Sequence, residues 1–189
     1  VGARGGSGGT GATGGGGGEV VESDGCGQAA AFESGTHALE VGGLSRTFIV
    51  DLPGAYDEDE AYPLLFGFHG RGFSAEEFRS SSYGNMLSAA ATEAIVVHPN
   101  GEGEVELAWD TESERDLVFF DALLASLTNG LCVDESRVFA TGHSSGGYFT
   151  NLLGCERGNV LRAIAPVAGG GPFGSGGREP ACERPLSAW

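Results

Sequence analysis

Apolar positions along the chain keep two rhythms. Tyr62–His69, Ala94–His98, Arg137–Thr141 and Arg162–Ala168 are short and largely apolar, which predicts strands buried on both faces of a sheet. His37–Val41 and Arg46–Leu52, joined by Gly42-Gly43, predict an antiparallel opening pair. Ala75–Ser80, Asn85–Glu93 and Asp116–Leu127 space their apolar residues as helices do. Asp116 opens the last of these, where a carboxylate suits the helix dipole, and Asp121 within it is read as a structural hydrogen-bond acceptor. Strands alternating with helices predict an α/β domain with a doubly wound, mostly parallel sheet.

Composition divides the chain unevenly. Eleven of the first 18 residues are glycine, and such a stretch cannot bury apolar surface. Residues 1–25 are therefore assigned as a glycine-rich disordered linker and residues 26–189 as the folded domain. Collagen is excluded because glycine does not recur at every third position. The formal net charge is −16, with 26 acidic residues against ten arginines and no lysine. That balance argues against nucleic acid and anionic membranes as partners. The acidic clusters at Asp57–Glu60 and Glu102–Asp116 read as solvated loops, since neither has the spacing of a calcium loop. No apolar run is long enough to insert in a membrane, and no metal or cofactor signature is present.

The chemistry concentrates at Gly142-His143-Ser144-Ser145-Gly146, between the Arg137–Thr141 strand and a helix beginning at Gly146. This is the nucleophile-elbow pattern in strand–turn–helix context, as in α/β-hydrolases. Ser144 is the candidate nucleophile. Gly142 and Gly146 leave room for the sharp turn, and Gly147 for close packing of the helix. One oxyanion donor is then the backbone N–H of Ser145, and the other belongs to the loop after Tyr62–His69: Arg71, with Gly70 as the alternative. Each such donor contributes about 3–4 kcal/mol to the transition state. His69 is expected to hold that loop by hydrogen bonding. His143 and Trp109 are candidate substrate contacts; for Trp109 the competing role is packing at the end of the sheet. All four histidines precede Ser144 and no aspartate follows it. The aspartate and histidine that would complete a triad are therefore absent, and the fold is expected to be incomplete at its C-terminus.

Cys26, Cys132, Cys155 and Cys182 lack metal-site spacing, and disulfides in an exported protein are preferred to four buried thiols. The strand rising to Ser144 and the helix descending from it travel comparable distances. That geometry predicts a Cys132–Cys155 bond, with Cys26 and Cys182 forming a second pair or bonding elsewhere.

Taken in order, Arg46–Pro53, Leu65–Gly70, His98–Gly101, Asp116–Asp121, Leu131–Asp134, Arg137–Gly147 and Ala163–Gly169 resemble the secreted esterase family of poly(3-hydroxybutyrate) depolymerases and feruloyl and acetylxylan esterases. Cys26-Gly27, Cys132 and Cys155 are most similar to its feruloyl esterase branch. The resemblance implies a secreted or cell-surface serine esterase that cleaves plant cell-wall esters through Ser144 without a cofactor. It also implies a triad aspartate and histidine beyond a strand that would follow Pro185, so the chain alone is expected to be inactive. Two rival readings are a polyester depolymerase and a catalytically dead binding module tethered by the linker.

Overall fold

The structure, a computed structural model, describes residues 19–102, 107–171 and 182. Six strands form one sheet: β1 (Gly35–Val41), β2 (Leu44–Asp51), β3 (Tyr62–Phe68), β4 (Ile95–Pro99), β5 (Val133–His143) and β6 (Ala163–Val167), in the order β1-β2-β4-β3-β5-β6. The first two pairings, β1 with β2 and β2 with β4, are antiparallel; those among β3, β4, β5 and β6 are parallel.

This order places the site. From β3 the chain steps to β4 on one side, then crosses back to β5 on the other, so the winding reverses between β3 and β5. Right-handed crossovers consequently put α1 (Ala75–Arg79) and α2 (Ser82–Ala90) on one face. They put α3 (Arg115–Gly130) and α4 (Ser145–Glu156) on the other. A crevice opens beyond the C-terminal ends of strands flanking such a switch point.

Alternation within β3 shows how the sequence serves both faces. Leu64, Phe66 and Phe68 enter the main core with Phe120 and Leu123 of α3 and Phe149 and Leu153 of α4. Leu65 turns to a smaller cluster with Phe78 of α1, Leu87 of α2 and Val96. Each fully buried phenylalanine contributes roughly 1.5–3 kcal/mol.

Asp116 is not a solvated dipole-capping residue as its position suggested. It is fully buried and ion-paired to Arg46 at 2.8 Å, and the Arg46 guanidinium lies 4.0 Å from the centroid of Phe119. Burial raises the Asp116 carboxyl above its ordinary value, against the opposing pull of its hydrogen bond from Asp110 and of Arg46. Asp121 is a structural acceptor, as expected, receiving both Nε and Nη2 of Arg157.

Two expectations are corrected. The folded domain begins before residue 26: Ser23 N–H donates to the Val133 carbonyl, Ser23 Oγ accepts from Val133 N–H, and Gly25 N–H donates to Thr128. The linker expectation for residues 1–18 lies outside the described residues. The disulfides are Cys26–Cys132 and Cys155–Cys182, not Cys132–Cys155. Matching travel along strand and helix brings two residues to the same end of the layer but does not turn their side chains together. Cys132 instead faces the 21–26 segment, which runs against the root of β5 through the Glu22–Asp134 bridge.

His98, on β4, is fully buried beneath α1 and α2, and neither ring nitrogen has a hydrogen-bond partner among the described residues. Asp51, held by Arg79, is 3.9 Å from its Nε2. Burial lowers its pKa from 6.5 to about 4, with Asp51 opposing. Between those values the unfolded chain binds the proton and the folded chain does not, so stability falls as pH drops. The loss reaches about 3 kcal/mol at pH 4. His98→Leu should flatten this acid limb in denaturant titrations run from pH 7 to pH 4 without lowering stability at pH 8. An unchanged limb would mean other groups control acid unfolding.

Candidate active site

The elbow has the geometry its glycines predicted. Ser144 sits at φ 53°, ψ −115°, a strained conformation for a residue with a Cβ. Its N–H donates to the Val167 carbonyl on β6 at 2.9 Å. A Cβ at Gly146 would stand 2.1 Å from the Phe68 carbonyl oxygen, and one at Gly142 2.4 Å from the Gly146 oxygen. Neither position admits a side chain while the backbone stays in place. Gly147 is also closely packed, a Cβ there standing 2.7 Å from the Val167 oxygen by the same construction. Ser144 therefore stands at the C-terminal end of β5 with the first turn of α4 beside it, whose leading N–H groups have no intrahelical acceptor.

The facing loop comes from β3. Phe73 N–H donates to the Gly70 carbonyl across a turn in which Gly72 has φ +78°, a value suited to glycine. Gly72 N–H donates to Leu107 at 2.8 Å. Gly70 approaches the elbow so closely that a Cβ there would lie 3.6 Å from that of Ser144. The Gly70–Arg71 backbone and Ser145 thus flank Ser144.

His69 fixes this loop from below. It is fully buried; Gly101 N–H donates to its Nε2 at 2.8 Å, so Nδ1 carries the proton and donates to the Gly70 carbonyl at 2.7 Å. Burial holds it below the ordinary histidine value, partly offset by the bond to Gly70. With both nitrogens engaged it has no lone pair for Ser144, in line with its expected structural role. His143 stacks on Tyr83 with ring centroids 4.4 Å apart. No described histidine hydrogen-bonds the Ser144 hydroxyl.

A cleft of about 660 Å³ opens over the serine, lined by Arg71, Trp109, Asp110, Ser144, Ser145 and Tyr148 among others. A separate apolar hollow of about 350 Å³ lies around Leu65, Phe139 and Ala165, away from the elbow, and among the described residues no titratable group lines it.

The chain is 32% identical over 170 residues to feruloyl esterase D of Neurospora crassa and 31% identical over 164 residues to feruloyl esterase C of Emericella nidulans. Each match covers 84% of this chain and 58% of the relative, so the chain spans little more than half the length of these relatives. Among solved structures, a ferulic acid esterase superposes with a TM-score of 0.60 at 20% identity, over 71% of this chain and 58% of that one. An acetyl xylan esterase from Aspergillus awamori gives 0.62 at 14%, over 76% and 56%. No protein-family profile matches. The fold is that of an α/β-hydrolase.

On this α/β-hydrolase fold, one candidate substrate contact lies inside the protein and another aromatic residue lines the cleft. Trp109 is only 6% exposed, with its indole stacked on Phe149 (centroids 4.9 Å apart, 11° between planes), so its ring is not an open platform for a sugar or phenol. The packing role is the one its environment supports. Tyr148, which the sequence reading passed over, is 45% exposed at the cleft wall. Its place four residues after Ser144, one helical turn on, is the signal that would have found it. Asp110 bridges wall and core, its N–H donating to buried Asp116 while its carboxylate holds Ser113.

Proposed function

We propose that the protein containing this chain is a secreted serine carboxylic-ester hydrolase of the feruloyl-esterase kind, acting on esters of plant cell-wall polysaccharide. The observation that carries the reading is the strained Ser144, held between glycines that no other residue can replace. Strain of this sort persists where the surroundings enforce it for a purpose. The feruloyl esterase relatives supply the substrate class, and two disulfides suit an oxidising, extracellular setting. No described helix is long and apolar enough to cross a membrane.

In this mechanism Ser144 Oγ attacks the ester carbonyl. The developing oxyanion is held by the N–H groups of Ser145 and of Arg71 or Gly70, and the alcohol leaves. Water then releases the acyl group from Ser144. The histidine that takes and returns the proton is not among the described residues. Without that base a serine hydroxyl is a poor nucleophile, so acylation of Ser144 is read in the protein that carries its complete triad.

Incubation with 4-nitrophenyl acetate and methyl ferulate, followed by mass analysis of the Ser144 peptide, tests the reading. An acyl adduct on Ser144 is expected; ester cleavage that never modifies Ser144 would sink it. Tyr148 gives a finer test, because its exposed ring can stack on an aromatic acyl group. Tyr148→Ala should raise KM for methyl ferulate by roughly 2- to 10-fold, the equivalent of one aromatic contact, with KM for 4-nitrophenyl acetate unchanged. Equal effects on both esters would remove Tyr148 from acyl recognition.

A further inference from the structure

Trp109 touches both halves of the oxyanion site at once. Its indole N–H donates to the His69 carbonyl at 2.9 Å, the peptide that leads into Gly70 and Arg71. Its backbone N–H donates to Ser145 Oγ at 3.2 Å, on the residue whose own N–H is the other oxyanion donor. The ring is wedged between the two supporting elements: edge-on to Phe68, the last residue of β3, and stacked on Phe149 of α4. Leu107, two residues earlier, accepts from Gly72 N–H on the far side of the same turn.

These two donors come from loops more than 70 residues apart in sequence, and an oxyanion hole works only when its donors are fixed before the charge develops. Hydrophobic packing sets an approximate separation. Directional hydrogen bonds from one rigid side chain set a definite one. We propose that Trp109 is a positioning residue that spans the two halves of the oxyanion hole and fixes their spacing, with the Ser145 hydroxyl as its second anchor.

Residue choice supports this role. Phenylalanine would fill the same apolar slot against Phe68 and Phe149, but only tryptophan adds a donor for the His69 carbonyl, which is held by a fully buried residue. Serine after the nucleophile is likewise more than an N–H donor, since an alanine there would keep the donor and lose the anchor.

The functional consequence rests on the esterase reading above, but the structural claim can be decided without it. In the full chain, amide hydrogen exchange is followed at Gly72, Phe73 and Gly101, whose N–H groups donate to Leu107, Gly70 and His69 respectively. Val97 and Ala140 in the central sheet serve as references. Trp109→Phe should speed exchange at the loop amides by about tenfold or more while the sheet amides stay within about twofold, the pattern of a local opening. Loop and sheet changing together, or neither changing, would make Trp109 an ordinary core residue and overturn the proposal.

Ser145→Ala provides a second route if the first variant folds poorly. It should speed exchange at the Trp109 amide, and no change there overturns the anchor. In parallel, both variants should slow acylation by 4-nitrophenyl acetate roughly 10- to 100-fold, as small misplacements in a catalytic site do, with KM unmoved. Wild-type rates in both variants would overturn the brace while leaving the esterase reading intact. A wild-type protein with its triad complete that is never acylated would overturn the esterase reading, and exchange would still decide the brace.

Discussion

Ser144→Ala should eliminate the acyl adduct and, in a protein with its triad complete, lower turnover on the order of 10⁶-fold, the loss seen when a comparable nucleophile is removed. The same substitution should leave stability within about 0.5 kcal/mol of wild type. The hydroxyl makes no capping bond to α4, and alanine retains the Cβ that makes φ 53° costly. Ser144→Gly is the informative companion. It too abolishes acylation, but it relieves the backbone strain and should stabilise the fold by about 1 kcal/mol. Thermal melts of the two variants beside wild type separate the cases. If Ser144→Gly melts at or below wild type, the elbow is not a strain reservoir and the main support for the functional reading weakens. If Ser144→Ala retains acylation, Ser144 is not the nucleophile.

What the sequence made legible follows from where the information lies. Tyr62–Phe68 and Ile95–Pro99 were readable because strands buried on both faces must be apolar throughout, a local property. The elbow was readable because its glycines are dictated by contacts that no Cβ survives. The root of β5 was not. The structure extends that strand back to Val133, through Asp134-Glu135-Ser136, a polar run with no strand signature. It is held by backbone bonds to Val21 and Ser23 and by Asp134, which accepts from Val21 N–H and Ser136. The bonds to Val21 and Ser23 join residues more than 100 positions apart, and residues 19–25 carry no apolar rhythm to betray them. Trp109 shows the same limit at the site. Its aromatic character and loop setting suggested a substrate platform, whereas its role is decided by where its N–H groups point. Asp116 completes the case: its position suggested a helix-dipole carboxylate, and only a partner 70 residues earlier, Arg46, turns it into a buried ion pair.

Breaking Cys26–Cys132 should cost the fold more than any single side chain. The bond closes a loop of sequence separation 106, for which chain entropy assigns roughly 4.8 kcal/mol; the separation of 27 for Cys155–Cys182 assigns roughly 3.5 kcal/mol. Against a total stability of about 5–15 kcal/mol, Cys26→Ala/Cys132→Ala should lower the melting temperature by roughly 10–15 °C and exceed the loss from Cys155→Ala/Cys182→Ala. The location of the bond matters as much as the loop length. Cys132 stands immediately below β5, the strand that carries Ser144 at its upper end. Its backbone is also held by bonds to Tyr56 Oη and from Tyr62 N–H. Without the disulfide these bonds should keep β5 registered at 25 °C, so Ser144 acylation should survive there and disappear on warming through the lowered transition. A variant that melts normally, or one in which the shorter loop proves the costlier to open, would place the stabilisation in the hydrogen bonds of residues 21–25. A variant already unreactive at 25 °C would show that the elbow depends on the root of its strand being covalently fixed.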